Sequence, residues 1–153
     1  MVYERLLDGP GAALWRCANL WQRREREALA PHGLTPVQFL LLAGIRELEA
    51  AGPATQVALA RHCGADAMMV SQVLRQMERS GLAGRVRHGA DARARVLSLT
   101  ARGQRTLERA AAAVADAQRV FFGVLGPDAE AFTGALGLLV GQKPRRRVAA
   151  QRS

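Results

Sequence analysis

Cysteine is nearly absent from this chain: two in 153 residues, at Cys17 and Cys63. Two thiols so far apart make no disulfide framework, and a reducing cytoplasm is the simplest setting for them. Long hydrophobic runs are absent as well. The longest apolar stretch is Phe39 to Ile45, far short of the ~20 residues a membrane helix needs. The first residues set Glu4 and Asp8 around Leu6 and Leu7, which is not the pattern of a secretory signal, so no membrane association is expected. His32, His62 and His88 show no metal-ligand spacing with the two cysteines, so neither a metal nor a cofactor is expected. The chain has no phosphate-cradling glycine loop after a strand, no nucleophile elbow and no His-Glu-x-x-His, and therefore no enzyme motif.

Aromatics are scarce too. Tyr3, Trp15, Trp21, Phe39, Phe121, Phe122 and Phe132 are all of them, and none falls between 40 and 120. That gap matters because it coincides with a basic block. Residues 61–109 hold ten basic and four acidic groups, and residues 143–153 hold five basic and no acidic ones. These two stretches carry the positive charge, and the slightly acidic residues 110–142 between them bring the net charge to +9. The positive groups are nearly all arginine, the side chain suited to bidentate phosphate and guanine contacts. A polyanionic partner is implied, with nucleic acid foremost. Single-strand and RNA binders offer aromatic platforms for stacking bases. A basic block without aromatics points instead to the backbone and grooves of double-stranded DNA. An arginine-rich genome bias is the bland alternative.

Punctuation and periodicity predict a mainly α fold of six helices with a small β-hairpin. The first helix runs from about Gly11 to Leu29, with Leu14, Ala18, Trp21 and Ala28 as its apolar stripe. Thr35 caps a second helix that Gly52-Pro53 stops. Thr55 caps a short third helix that Gly64 breaks, and Asp66 caps a fourth running to Arg79, closed by Gly81. Arg85-Val86-Arg87 and Val96 to Leu99 alternate as strands around a tip from His88 to Ala92. Thr100 caps a long fifth helix, with Leu107, Ala111, Val114, Phe121 and Val124 on one side. Gly126-Pro127 ends it, and Asp128 opens a sixth with Phe132, Leu136, Leu139 and Val140 as its stripe. Residues 1–142 read as one unit and residues 143–153 as a basic, disordered tail.

Gln56 to Arg75 carries a helix-turn-helix pattern. Leu59, Cys63, Ala65, Val70 and Val73 are its apolar positions, Ala60 is small where helices approach, and Gly64 sits at the turn. A generic helical hairpin shares part of this pattern. At about 100° per residue, Val70, Val73, Leu74 and Met77 share the inward face of the fourth helix. Met68, Ser71, Gln72, Arg75 and Arg79 share the opposite face. Glutamine can read adenine, arginine guanine, and methionine the thymine methyl. An ordinary solvated face is the competing reading. In the hairpin tip, Arg93 suits a narrow minor groove, Asp91 is placed to hold its guanidinium, and Arg95 follows.

Several motifs together resemble the MarR family of bacterial transcriptional regulators. They are Leu34 to Phe39, Leu59-Ala60, Val70-Ser71-Gln72-Val73, Glu78 to Leu82, Asp91-Ala92-Arg93-Ala94, and Leu99-Thr100-Ala101-Arg102-Gly103. The resemblance spans about residues 11–140 and implies a winged helix-turn-helix over 35–100, with dimerisation helices over 11–30 and 101–140. It further implies a cytoplasmic homodimer on a palindromic operator, often a repressor, released by a small aromatic or phenolic ligand or by oxidation. In that family the recognition helix enters the major groove and the wing arginine, here Arg93, the minor groove. Many members carry a second acidic/arginine pair where this chain has His88 and Ala90, which leaves the wing to Arg93 and Arg95. Trp15 and Asn19 share a face of the first helix. They are candidates for a ligand pocket, with dimer packing by Trp15 as the alternative. Cys17 is the redox candidate, although the tyrosine-lined setting of such sensors has no counterpart here. A nonspecific basic DNA-binding protein or a helical interaction protein is the reading from a different class.

Overall fold

Four helices in this chain begin on a side-chain cap, and those caps divide it into its elements. A computed structural model describes residues 7–87 and 95–142, with only the backbone of Arg95. Helix α1 spans Pro10–Leu29, and a tight turn, Ala30–His32, leads from it to Gly33 in the left-handed region. Thr35 opens α2, Pro36–Ala51, with a reciprocal box. The Gln38 amide donates to Thr35 Oγ1 at 3.2 Å, and the Thr35 amide donates to Gln38 Oε1 at 3.0 Å. This satisfies two of the donors that a helix start leaves open. Thr55 caps α3, Gln56–Cys63, and Asp66 caps α4, Ala67–Arg79. Between them Gly64 takes φ +59°, where a side chain is strained.

Strands β1, Ala83–Arg87, and β2, Arg95–Leu99, pair antiparallel with Ala83 opposite Leu99 and Arg85 opposite Leu97. A two-stranded hairpin is marginal alone, and this one is tied to the helices at its base. The Leu97 amide donates to the Ala54 carbonyl at 2.7 Å. Glu49 Oε1 accepts from the Ser98 hydroxyl at 2.7 Å and from the Leu99 amide at 3.2 Å. Helix α5, Ala101–Phe122, starts on Thr100, whose Oγ1 accepts from the Gly103 amide at 2.9 Å.

The chain divides into two units, Met1–Ala117 and Gln118–Ser153. The core lies in the first. Leu41, Leu42, Ile45, Leu59, Val70, Leu74, Met77 and Leu97 are fully or almost fully buried, with Leu107, Ala110 and Val114 of α5 joining them. Two glycines permit its closest approaches. A Cβ on Gly44 of α2 would stand 2.6 Å from Cys63 Sγ and 2.8 Å from a Leu59 methyl. A Cβ on Gly103 would overlap the Leu82 carbonyl oxygen. In the second unit, Phe121 and Phe122 meet edge to face at 4.9 Å, and Phe122 lies 6.2 Å from Phe132. A short tight turn, Gly123–Asp128, precedes α6, Ala129–Leu139, none of whose described residues is buried.

Some expectations need correcting. Leu14 keeps its place in the apolar stripe of α1 and is half exposed in the single chain. The buried positions of α5 are Gly103, Thr106, Leu107, Ala110 and Val114, so Ala110 faces inward and Ala111 does not. Val124 is 88% exposed because the α-helix ends at Phe122 and the turn resets the phase. Asp128 makes no side-chain cap bond. The preceding turn already supplies an acceptor, as the Ala129 amide donates to the Gly126 carbonyl.

Candidate nucleic-acid interface

Helix α4 is sharply two-sided. Val70, Leu74 and Met77 are buried and Val73 packs against the core, as the spacing predicts. On the opposite face Gln72, Arg75 and Arg79 are exposed, Ser71 is half-buried, and Met68 is 82% exposed. Gln72, Arg75 and Arg79 bond to no described residue through their side chains, so their donors are available to a partner. Asp66 at the start of the helix is occupied, with Oδ1 accepting from the Met69 amide at 2.9 Å. Its carboxylate therefore serves the helix terminus. Val57, 71% exposed at the start of α3, is a second apolar side chain open to solvent in the helix-turn-helix. It escapes a sequence reading because one valine breaks no pattern.

Two arginines of the basic block are thus set apart from a third. Arg85 on β1 is engaged: its Nε donates to Glu78 Oε1 at 2.7 Å and a terminal nitrogen donates to Gln56 Oε1 at 3.0 Å. Asp91 and Arg93 lie outside the described residues, as do the side chain of Arg95 and the tail 143–153.

The remaining sequence candidates sit elsewhere. Trp15 is 70% exposed on α1, and Asn19 is exposed with its side-chain amide turned back to the Trp15 carbonyl at 2.9 Å. A cavity of about 410 Å³ in the first unit lies away from both, between the end of α2 and the hairpin, and includes Glu49, Pro53, Val86 and Ser98 in its lining. Cys17 is half-buried. Cys63 packs at the α2–α3 approach with its thiol directed to the Leu40 carbonyl at 3.8 Å. Burial, and then the negative charge of Glu47, push its pKa above that of an ordinary thiol. Less thiolate means slower alkylation. Iodoacetamide at neutral pH should therefore modify Cys63 more slowly than a cysteine in a short peptide, as read by mass spectrometry. Labelling at the rate of the peptide would show that the packing around it opens. Among the described residues no group of three or more His, Cys, Asp or Glu is placed to hold a metal, and no single helix is long and apolar enough to cross a membrane.

Comparison with known proteins places this geometry. The family model described as MarR family matches residues 34–94, from just before the Thr35 cap of α2 to just before β2. An uncharacterized HTH-type transcriptional regulator of Bacillus subtilis (strain 168), YdcH, is 38% identical over 114 residues, covering 74% of this chain and 78% of its own length. The transcriptional repressor CouR bound to a 23-mer DNA duplex aligns with a TM-score of 0.77 and 29% identity, over 90% of this chain and 96% of that one. The M. tuberculosis regulator MosR in complex with DNA aligns with a TM-score of 0.69 and 28% identity, over 86% of this chain and 96% of that one.

Proposed function

The chain belongs to the MarR family of winged helix-turn-helix DNA-binding transcriptional regulators, and from that premise we propose that it acts as a homodimeric repressor on a palindromic operator. The observation that carries this reading is the outer face of α4. Gln72 and Arg75 stand unengaged by described residues on a helix whose other side is locked into the core. Such a face presents donors in the fixed geometry that base edges in a major groove require. Met68 adds an apolar group suited to a thymine methyl, and Arg79 a cation for a phosphate. To the wing we assign minor-groove reading by Arg93, with Asp91 as its support and Arg95 as a second cation.

Dimerisation is supported by apolar side chains that the single chain leaves in solvent. Leu14 and Leu20 do so on α1 and, separately, Leu138, Leu139 and Val140 do so at the end of α6. Self-association would bury them, and light scattering should give twice the 16.5 kDa chain mass. A small aromatic or phenolic effector completes the reading, with the exposed Trp15 ring and the Asn19 amide offered to it. The repressor assignment draws on CouR, which is a repressor and shares most of this fold.

The test is a selection from random duplexes, followed by titration of the chosen duplex and a scrambled one at two salt concentrations. A palindromic winner, preferred by ~10³-fold or more, with half-site centres about one helical turn apart, is the expected result. Arg93→Ala should then weaken binding to the winner while leaving the protein folded. Equal and steeply salt-dependent binding to both duplexes would replace the specific regulator with a nonspecific duplex binder.

A further inference from the structure

Arg85 belongs by charge to the basic block, yet its guanidinium is already spent on protein. It sits at the centre of β1, opposite Leu97 in the hairpin. Its Nε donates to Glu78 Oε1 at 2.7 Å, and one terminal nitrogen donates to Gln56 Oε1 at 3.0 Å. Glu78 lies in the last turn of α4, and Gln56 is the first residue of α3. One side chain therefore joins the stem of the wing to both helices of the helix-turn-helix. The planar fork of arginine makes two such bonds in fixed directions, which lysine cannot.

The position of Glu78 gives the junction a second consequence. At about 100° per residue, Glu78 falls beside Ser71, at the margin of the face that carries Gln72, Arg75 and Arg79. An unpaired carboxylate there would stand next to DNA phosphates and at a helix C-terminus, and a negative charge is unfavourable in both settings. The pair is only about one-third exposed, with side-chain exposures of 33% and 31%, so Arg85 neutralises that charge where water screens it incompletely. The hairpin is held on its other strand by the Leu97–Ala54 bond and by Glu49. Arg85 is the matching tie on the β1 side.

We propose that Arg85 is a positioning residue for DNA recognition: it fixes the wing against α4 and silences Glu78, and it makes no DNA contact itself. The proposal rests on the reading of α4 and the wing as the two DNA-reading elements. A wing free to swing occupies the binding geometry for only part of the time, and the apparent Kd rises as the inverse of that fraction.

The experiment compares wild type, Arg85→Ala, Glu78→Gln, the double variant and Arg85→Lys by fluorescence anisotropy. The probes are the duplex that the wild-type chain selects from a random pool and a scrambled duplex of the same composition, each over a salt series. Arg85→Ala should weaken the selected duplex about tenfold, the loss expected if the competent geometry is occupied a tenth of the time, with the salt slope of wild type. Adding Glu78→Gln should recover part of that loss, because the exposed charge is gone. If Arg85→Ala does not fold, Arg85→Lys carries the test: it keeps the charge, and a smaller loss at unchanged slope supports the proposal. A phosphate contact would look different, lowering affinity for both duplexes alike and the salt slope by about one, and that result would overturn the proposal. So would unchanged binding, or losses that simply add in the double variant. A wild-type chain with no preferred duplex would overturn the reading of the DNA-reading elements and the proposal with it. A preference that Arg85→Ala retains in full would overturn the proposal alone.

Discussion

Gly103→Ala should destabilise the protein by about 3 kcal/mol or more, the upper end of overpacking costs, and lower the thermal midpoint by on the order of 10 °C. Helix propensity alone argues the other way, since alanine is favoured over glycine inside a helix by ~1 kcal/mol. The steric term is larger because of what blocks the methyl. A Cβ there would overlap the Leu82 carbonyl oxygen and stand 2.9 Å from the carbonyl carbon, so backbone would have to move rather than a side-chain end. That backbone is pinned. Thr100 Oγ1 donates to the Gly81 carbonyl at 2.7 Å and to the Leu82 carbonyl at 3.2 Å, and the Thr100 amide donates to the same Leu82 oxygen at 3.2 Å. Relieving the clash would break the junction that joins α4, the hairpin and α5. Gly11→Ala is the control, because nothing lies within 4 Å of its added methyl. It should leave the midpoint unchanged or slightly raised. Calorimetry on the two variants decides the matter, and an unchanged midpoint for Gly103→Ala would mean that α5 can shift away from Leu82.

The second large effect is on recognition. Replacing Gln72 and Arg75 together with alanine should weaken the selected operator by about 10²-fold or more, since each bidentate base contact is worth ~1–3 kcal/mol of discrimination and ~1.4 kcal/mol is a factor of ten. Scrambled duplex should lose far less, because phosphate contacts and the rest of the basic block remain. Both side chains are exposed, so the fold should be unaffected. Truncation of exposed helical residues is ordinarily worth less than about 0.5 kcal/mol in stability. The readout is the ratio of the two affinities. An equal drop on both duplexes would demote the pair to backbone contacts and move base readout elsewhere on α4 or to the wing.

Local structure was legible in the sequence because its causes are local. Thr35, Thr55, Asp66 and Thr100 each cap the helix predicted from them, by bonds to an amide three residues on. Gly64 and Gly81 adopt the positive φ that their places after α3 and α4 require. The two faces of α4 followed from a strong apolar–polar contrast at helical spacing. Where contrast fails, so does the reading. The run Ala110 to Ala113 has no side-chain difference from which to fix a phase, and only packing selects Ala110 as the buried member. Leu14 carries the apolar character of an inward residue, but the single chain offers it no cover.

By itself, then, the sequence determined the order of the helices and the capped starts of α2 to α5, the turn between α3 and α4, the side of α4 that faces outward, and the charge that points to DNA as the partner. Each of these depends on residues within a turn or two of one another. Tertiary structure alone decided which glycines are indispensable and which arginines are available. Gly44 and Gly103 look like ordinary helix glycines until Cys63 and Leu82 are brought against them. Arg75 and Arg85 are indistinguishable as letters in a basic block. Only when the chain sets Glu78 and Gln56 within 3.0 Å of one of them does its charge become internal, leaving the other open to solvent. Such contacts join residues 7 to 29 positions apart, and no periodicity records a pairing that the fold itself creates.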